Sequence, residues 1–375
     1  MIILSYFNII RKIVIGGMTL KISDIEGIKK SVKLNEPVVV TFGTLYEVET
    51  IVIKVATDEG VIGFGEACPF EPVTGENIET EMVCLDSLKQ SLLDNDPRNI
   101  EELHTIMDNS IVGHTALKAG IDIALYDILG KSAGLPLYKL LGGNSNQVTT
   151  DITLSIDEPD KMAAEARKHV DAGFTQLKIK AGIDIENDKL ALQAIQDAVG
   201  TEAHLKMDAN QGWTTKQTIS FLDQTQSSSL ETIEQPLPYW DHTGNQAIKH
   251  SATQPLMLDE TIHSPHDAIA ALVNNEADMF NIKLMKSAGI WGAEGINRIA
   301  EAAGITCMIG CMAETTIGIS AAAHFAAAHN NVKYCDLDSF MFFKQPDWLL
   351  DTGFKQDKEL ITLSDKPGLG IEINL

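Results

Sequence analysis

From residue 148 onward, short apolar runs alternate with longer stretches whose apolar residues recur three and four apart. The runs cover 149–154, 175–180, 203–208, 230–235, 255–259, 279–284, 306–310 and 332–336. Most are rich in Ile, Leu, Val and Met, the pattern of a strand buried on both faces. Between them, 160–172, 186–199, 265–275, 290–303 and 315–329 carry helical periodicity. Eight such units predict an α/β fold, a modified TIM barrel of the (β/α)7β type whose last helix is weak or missing. A doubly wound sheet is the competing architecture, but no G-x-G-x-x-G opens a helix after a first strand.

The chain before residue 148 has a different rhythm. Loose alternation at Leu20, Ile22, Val32 and Leu34, the β-branched run 47–55 and the run 61–67 predict an antiparallel meander. The stretch 37–45, with Gly43 and small residues, suits a mobile loop. Helical periodicity follows over 77–93, 99–107 and 115–141, where Gly142 and Gly143 supply stop signals. Strands followed by helices predict a separate α+β domain over 19–140, ahead of a barrel over 141–340. The segment 341–375 returns to short strands that pack back on the first domain. Residues 1–17 are apolar but interrupted by Arg11 and Lys12, too short to span a bilayer and without a cleavage site. We read Met18 as the native start and 1–18 as an extension outside the fold.

Composition narrows the partners. With 29 Lys plus Arg against 52 Asp plus Glu, the net charge of −23 excludes nucleic acid and anionic membrane surfaces. The five cysteines lack metal-type spacing, and a reduced, cytoplasmic compartment is expected. A homo-oligomer is compatible with this composition.

The charges that interrupt the apolar runs carry the chemistry. Lys180, Asp208, Glu234, Asp259 and Lys283 fall where successive barrel strands end, at spacings of 28, 26, 25 and 24 residues. Asp336 follows two steps later. In a barrel of this kind the active site lies at those ends. Asp208, Glu234 and Asp259 form an all-oxygen set on adjacent strands, suited to one hard cation with open positions, Mg2+ first and Mn2+ by the same ligand logic. Lys178 and Lys180 share a strand face, where crowding and burial should depress a lysine pKa towards the working range of a base. Lys283 stands four strands away, across the barrel. Lys286 reads as a solvated loop residue. A cation flanked by two amines can acidify the C–H beside a substrate carboxylate, with one lysine removing the proton and the other returning one to the opposite face.

The segments KIK (178–180), MDANQGW (207–213), IEQP (233–236), LDET (258–261), NIKLMKSAGI (281–290) and KPGLGIE (366–372) resemble the enolase superfamily, muconate lactonizing enzyme subgroup. The resemblance covers 19–375. It implies Lys180 and Lys283 as the acid/base pair, Lys178 as an electrostatic aid, and Asp208, Glu234 and Asp259 as ligands of one Mg2+. It also implies that the first domain caps the barrel, with loops near Phe42 and Phe70 closing over the substrate. Within the subgroup, Asp336 and Asp338 share one strand face and resemble the pair with which dipeptide epimerases hold an N-terminal ammonium. Thr153 and the Cys311, Met312 and Ala313 backbone match substrate-contacting positions. Members acting on L-Ala-L-Glu carry an arginine in the first-domain loop, whereas 36–49 hold no Lys or Arg. Val39, Phe42, Leu45 and Phe70 would build an apolar pocket instead. The expected substrate is an L,L-dipeptide with a hydrophobic C-terminal residue, inverted at that residue's α-carbon. An L-Ala-D/L-Glu epimerase, a cycloisomerase and an o-succinylbenzoate synthase are the alternatives; the last two take anions without an ammonium, which the paired aspartates disfavour.

Overall fold

The computed structural model describes residues 20–40, 43–226 and 228–375. The extension over 1–18 and the role assigned to Phe42 lie outside the described residues, as do the side chains of Val39 and Leu45. Three antiparallel strands, β1 (Ile22–Val40), β2 (Gly43–Thr57) and β3 (Ile62–Ala67), open the chain in the order β1-β2-β3. The stretch 37–45 was expected as a loop. It instead extends a long hairpin, in which Val38 pairs with Leu45 and Val40 with Gly43 after a register shift beyond Lys33. Backbone pairing outweighs the weak loop signal of one glycine.

Five helices follow: α1 (Glu71–Thr74), α2 (Ile78–Leu92), α3 (Ile100–Ser110), α4 (Thr115–Ala133) and α5 (Leu137–Leu140). The predicted helix 115–141 is therefore two. Gly134 takes a left-handed conformation at φ 68° and Pro136 precedes α5, so the periodicity survives a break in the backbone. Helix α4 is buried on nearly every face, because it lies between the sheet and the barrel. It approaches β3 so closely that a Cβ on Gly65 would sit 2.0 Å from the Gly120 carbonyl oxygen.

Beyond β4 (Gln147–Thr149) the units alternate: β5 (Ile152–Leu154), α6 (Pro159–Asp171), β6 (Gln176–Lys180), α7 (Ile185–Val199), β7 (His204–Asp208), α8 (Thr215–Gln224), β8 (Leu230–Glu234) and α9 (His242–Ser251). Then come β9 (Leu256–Leu258), α10 (Pro265–Val273), β10 (Met279–Lys283), α11 (Ile290–Ala303), β11 (Thr306–Gly310), α12 (Thr316–Ala328) and β12 (Val332–Cys335). The eight strands β5 to β12 pair in parallel and in sequence order. The Asp151 N–H donates to the Cys335 carbonyl at 3.0 Å, joining the first strand to the last. The apolar run at 149–154 is thus divided: β4 leaves the barrel to pair with β15 (Leu360–Leu363), and only β5 enters it. After β12 a 3-10 turn (Ser339–Phe342) stands where an eighth helix would follow.

The remaining strands, β13 (Leu349–Thr352), β14 (Phe354–Asp357) and β16 (Ile371–Ile373), reach both parts of the molecule. The Leu369 N–H donates to Asp127 of α4 at 2.9 Å, and β14-β15-β4 form a small sheet below the barrel. Buried carboxylates join the capping helices and strands to the barrel. Glu66 of β3 accepts from the Thr315 and Gly318 N–H groups at the start of α12, and Asp122 of α4 accepts from the Ile290 N–H of α11. Among the described residues no helix is long and apolar enough to cross a membrane.

Candidate active site

Strand register delivers the charged tips to one level. Lys180 pairs with Asp208, and Asp208 with Glu234, at the C-terminal ends of β6, β7 and β8. Asp259 follows β9, and Lys283 ends β10, four strands from Lys180 in the eight-strand order. The loops after β6 and β7 interlock: Gly182 has φ 105°, and a Cβ on Gly212 would fall 2.0 Å from its carbonyl oxygen. That contact braces the loops that follow Lys180 and Asp208. Gln235 accepts from the Asp259 and Thr261 N–H groups at 2.9 and 3.2 Å, fixing the turn beyond β9.

The expected lysines are all paired with carboxylates. The Lys178 ammonium lies 2.6 Å from Asp336, 3.0 Å from Glu234 and 3.1 Å from Asp208. Lys180 reaches Asp208 at 2.7 Å and Asn210 at 2.9 Å, and Lys283 reaches Asp259 at 2.8 Å. Lys180 and Lys283 line the same cavity, with Thr153, Asp336 and Asp338 on its polar side. Leu34, Val48, Phe70, Val73, Phe342 and Phe343 form its apolar side, and the described lining there carries no Lys or Arg. The Cys311–Ala313 segment lies along the same cavity.

Lys178 does not show the expected fall in pKa. Burial opposes charge on Lys178, but Asp336, Glu234 and Asp208 outweigh it and hold the ammonium well above its usual range. Lys283 is likewise raised against burial, chiefly by Asp259. Repulsion between lysines is outweighed by the surplus of carboxylates around Lys178 and Lys283. Those carboxylates split in turn. Asp208 is lowered to about 2 because Lys180 and Lys178 overcome its burial, while burial and Asp208 push Glu234 up to about 7.

The donor set fits a hard divalent cation. Three carboxylates on consecutive strands are fully buried, and two of their oxygens, Glu234 Oε2 and Asp259 Oδ2, receive no directed hydrogen bond. Ammonium groups stand within 3.0 and 2.8 Å of those two atoms without hydrogen-bond geometry, so charge is balanced there but direction is not. Among the described residues, the group whose ligand atoms already lie within 4.8 Å of one another is Cys311, Asp336 and Asp338; the three strand-tip carboxylates are spread around the lysines. Asp338 also accepts from the Thr153 N–H at 2.6 Å, and burial together with Asp336 pushes it up to about 7.

Lys286 corrects the sequence reading: it is buried, not solvated. The backbone turns back on itself after β10, with the Lys286 and Ser287 N–H groups donating to the Lys283 carbonyl. The turn carries the Lys286 ammonium under Asp259, 2.5 Å from Oδ1 and against the backbone carbonyl. Removing one partner of a buried ion pair costs about 3–5 kcal/mol. Lys286→Met is expected to lose that much in urea unfolding at neutral pH; a loss under about 1 kcal/mol contradicts the pairing.

Other residues escaped the sequence reading. Lys206, the register partner of Lys178 on β7, forms a second buried pair with Asp151. Asn281 donates to Glu234 at 2.6 Å, and Asn210 accepts from Lys180 while donating to Glu260. Lys206 precedes Asp208 by two as Lys178 precedes Lys180, and that same-face spacing was the available signal.

Residues 23–142 match the family described as mandelate racemase / muconate lactonizing enzyme, N-terminal domain, and residues 161–375 match the enolase C-terminal domain-like family. A protein of Enterococcus faecalis described as a hydrophobic dipeptide epimerase is 40% identical over 353 residues, covering 94% of this chain and 99% of that one. An L-Ala-D/L-Glu epimerase of Bacillus subtilis is 37% identical, covering 94% and 97%. A crystal structure of the dipeptide epimerase from Enterococcus faecalis V583, complexed with Mg and the dipeptide L-Leu-L-Tyr, superposes with a TM-score of 0.91 at 40% identity, covering 94% of this chain and 99% of that one.

Proposed function

Because the chain belongs to the mandelate racemase / muconate lactonizing enzyme family of the enolase superfamily, we propose that it is a dipeptide epimerase, an isomerase that inverts the α-carbon of the C-terminal residue of L,L-dipeptides with a hydrophobic residue there. The observation that carries the reading is one cavity lined together by Asp336 and Asp338, by Lys180 and Lys283, and by the apolar Leu34, Val48, Phe70 and Val73.

Asp208, Glu234 and Asp259 would hold Mg2+, which supplies a Lewis acid for the substrate carboxylate as negative charge builds on it. Lys180 and Lys283 face the α-carbon from opposite sides of the barrel. One Nζ takes the proton as an N–H bond forms and the C–H bond breaks; the other ammonium gives its proton to the opposite face. Lys178, held by Asp336, Glu234 and Asp208, offsets the charge of the acidic centre. Asp336 and Asp338, with Thr153 and Cys311, suit the substrate's N-terminal ammonium. The Met312 and Ala313 backbone runs along the peptide. Val48, Phe70 and Val73 on the apolar side suit a hydrophobic side chain, and an acidic one there would be desolvated without a cation.

In D2O the protein should exchange the C-terminal α-proton of L-Leu-L-Tyr. It should prefer such substrates to L-Ala-L-Glu by about 2 kcal/mol, on the order of 30-fold in kcat/KM. Absence of exchange with any L,L-dipeptide refutes the epimerase reading; preference for L-Ala-L-Glu refutes the specificity alone.

Asp338 sets a pH dependence. With its carboxyl raised to about 7, an ammonium substrate must displace a proton below that pH. KM for a free dipeptide should therefore rise as pH falls through about 7, by up to about tenfold per unit. A KM unchanged between pH 8 and pH 6 contradicts this.

A further inference from the structure

Lys180 and Lys283 are held by different means, and the difference converges on two adjacent residues. Lys283 is held by Asp259, whose other oxygen is taken by Lys286. Lys180 is held by Asp208 and by Asn210 Oδ1, and the Asn210 Nδ2 donates to Glu260 Oε1 at 3.1 Å. An ammonium has only donors, so Asn210 must present its carbonyl oxygen to Lys180. Its amide N–H2 then needs an acceptor on the far side, and the buried Glu260 supplies it. Asn210 sits at φ 38°, a strained conformation that its own N–H bond to Asp208 Oδ1 helps to hold. The Asn210 side chain borders the substrate cavity, whereas Glu260 lies behind it.

We propose that Glu260 is a positioning residue for Lys180, acting through the orientation of the Asn210 amide. The proposal rests on the two-lysine epimerase reading above. It predicts a lopsided defect: proton transfer on the face served by Lys180 slows much more than transfer on the face served by Lys283, which Glu260 reaches through its charge and not through the Asn210 hydrogen bond. A residue needed only for folding or for the metal ligands would impair both faces alike.

The experiment is α-proton exchange in D2O, started separately from the L,L and L,D epimers. Lys180→Ala identifies the epimer whose exchange depends on that lysine. Glu260→Leu removes the acceptor and should slow exchange of that same epimer at least tenfold more than the other. Glu260→Gln keeps an acceptor oxygen at the same distance and should restore the wild-type ratio. Asn210→Ala should show the Glu260→Leu asymmetry even if Glu260→Leu fails to fold. Equal slowing of both epimers by Glu260→Leu and Asn210→Ala, or an unchanged ratio in both, overturns the proposal. Wild-type protein that exchanges neither epimer overturns the epimerase reading instead.

Discussion

Lys180→Ala and Lys283→Ala are each expected to lower epimerisation of a hydrophobic L,L-dipeptide by on the order of 10^3-fold or more, near the upper range for one acid/base group. The two variants should differ in what survives. A protein lacking one lysine keeps the other beside the α-carbon, so proton exchange should persist from one epimer and vanish from the other. The opposite epimer should survive in the second variant. The prediction follows from placement: the lysines end β6 and β10, four strands apart in a ring of eight, and line one cavity. Loss of exchange from both epimers in either single variant contradicts it.

The second large effect comes from removing the divalent cation. Three buried carboxylates stand at consecutive strand ends around the lysines, and two of their oxygens lack a directed hydrogen bond. A Lewis acid at such a site contributes several kcal/mol to stabilising developing charge, which is about 10^3-fold or more in rate. Chelation with EDTA should abolish turnover and Mg2+ should restore it. Mg2+ at about 100 times its Kd should also add about 2.7 kcal/mol of stability through binding the folded state. Full activity after exhaustive chelation, with no Mg2+-dependent thermal shift, contradicts the assignment.

Much of this arrangement is legible in the sequence, because a charge ending an apolar run stands out against the burial of its neighbours. Lys180, Asp208, Glu234 and Lys283 could be placed without coordinates since strand register brings them to one level. Lys286 could not: a lysine three residues past a strand end reads as solvated, and only the backbone reversal that returns it to Asp259 decides otherwise. The direction of the Lys178 shift was hidden for a related reason. Spacing of two showed Lys178 beside Lys180, but the carboxylates that dominate Lys178 come from three other strand ends. Glu260 and Asn210 were hidden because each follows a more conspicuous acid by one or two residues. In the capping domain, the 37–45 hairpin shows local composition yielding to cross-strand pairing.

In the proposed mechanism two amines address opposite faces of one carbon. The most direct test is isotopic composition at low conversion in D2O. Product and remaining substrate are separated by chiral chromatography, and deuterium at the C-terminal α-carbon is measured in each. With two bases, the first product formed carries solvent deuterium at that carbon while the recovered substrate is still largely unlabelled. Product that retains the original proton at early times would mean that one base serves both faces, and the account built on Lys180 and Lys283 would be wrong.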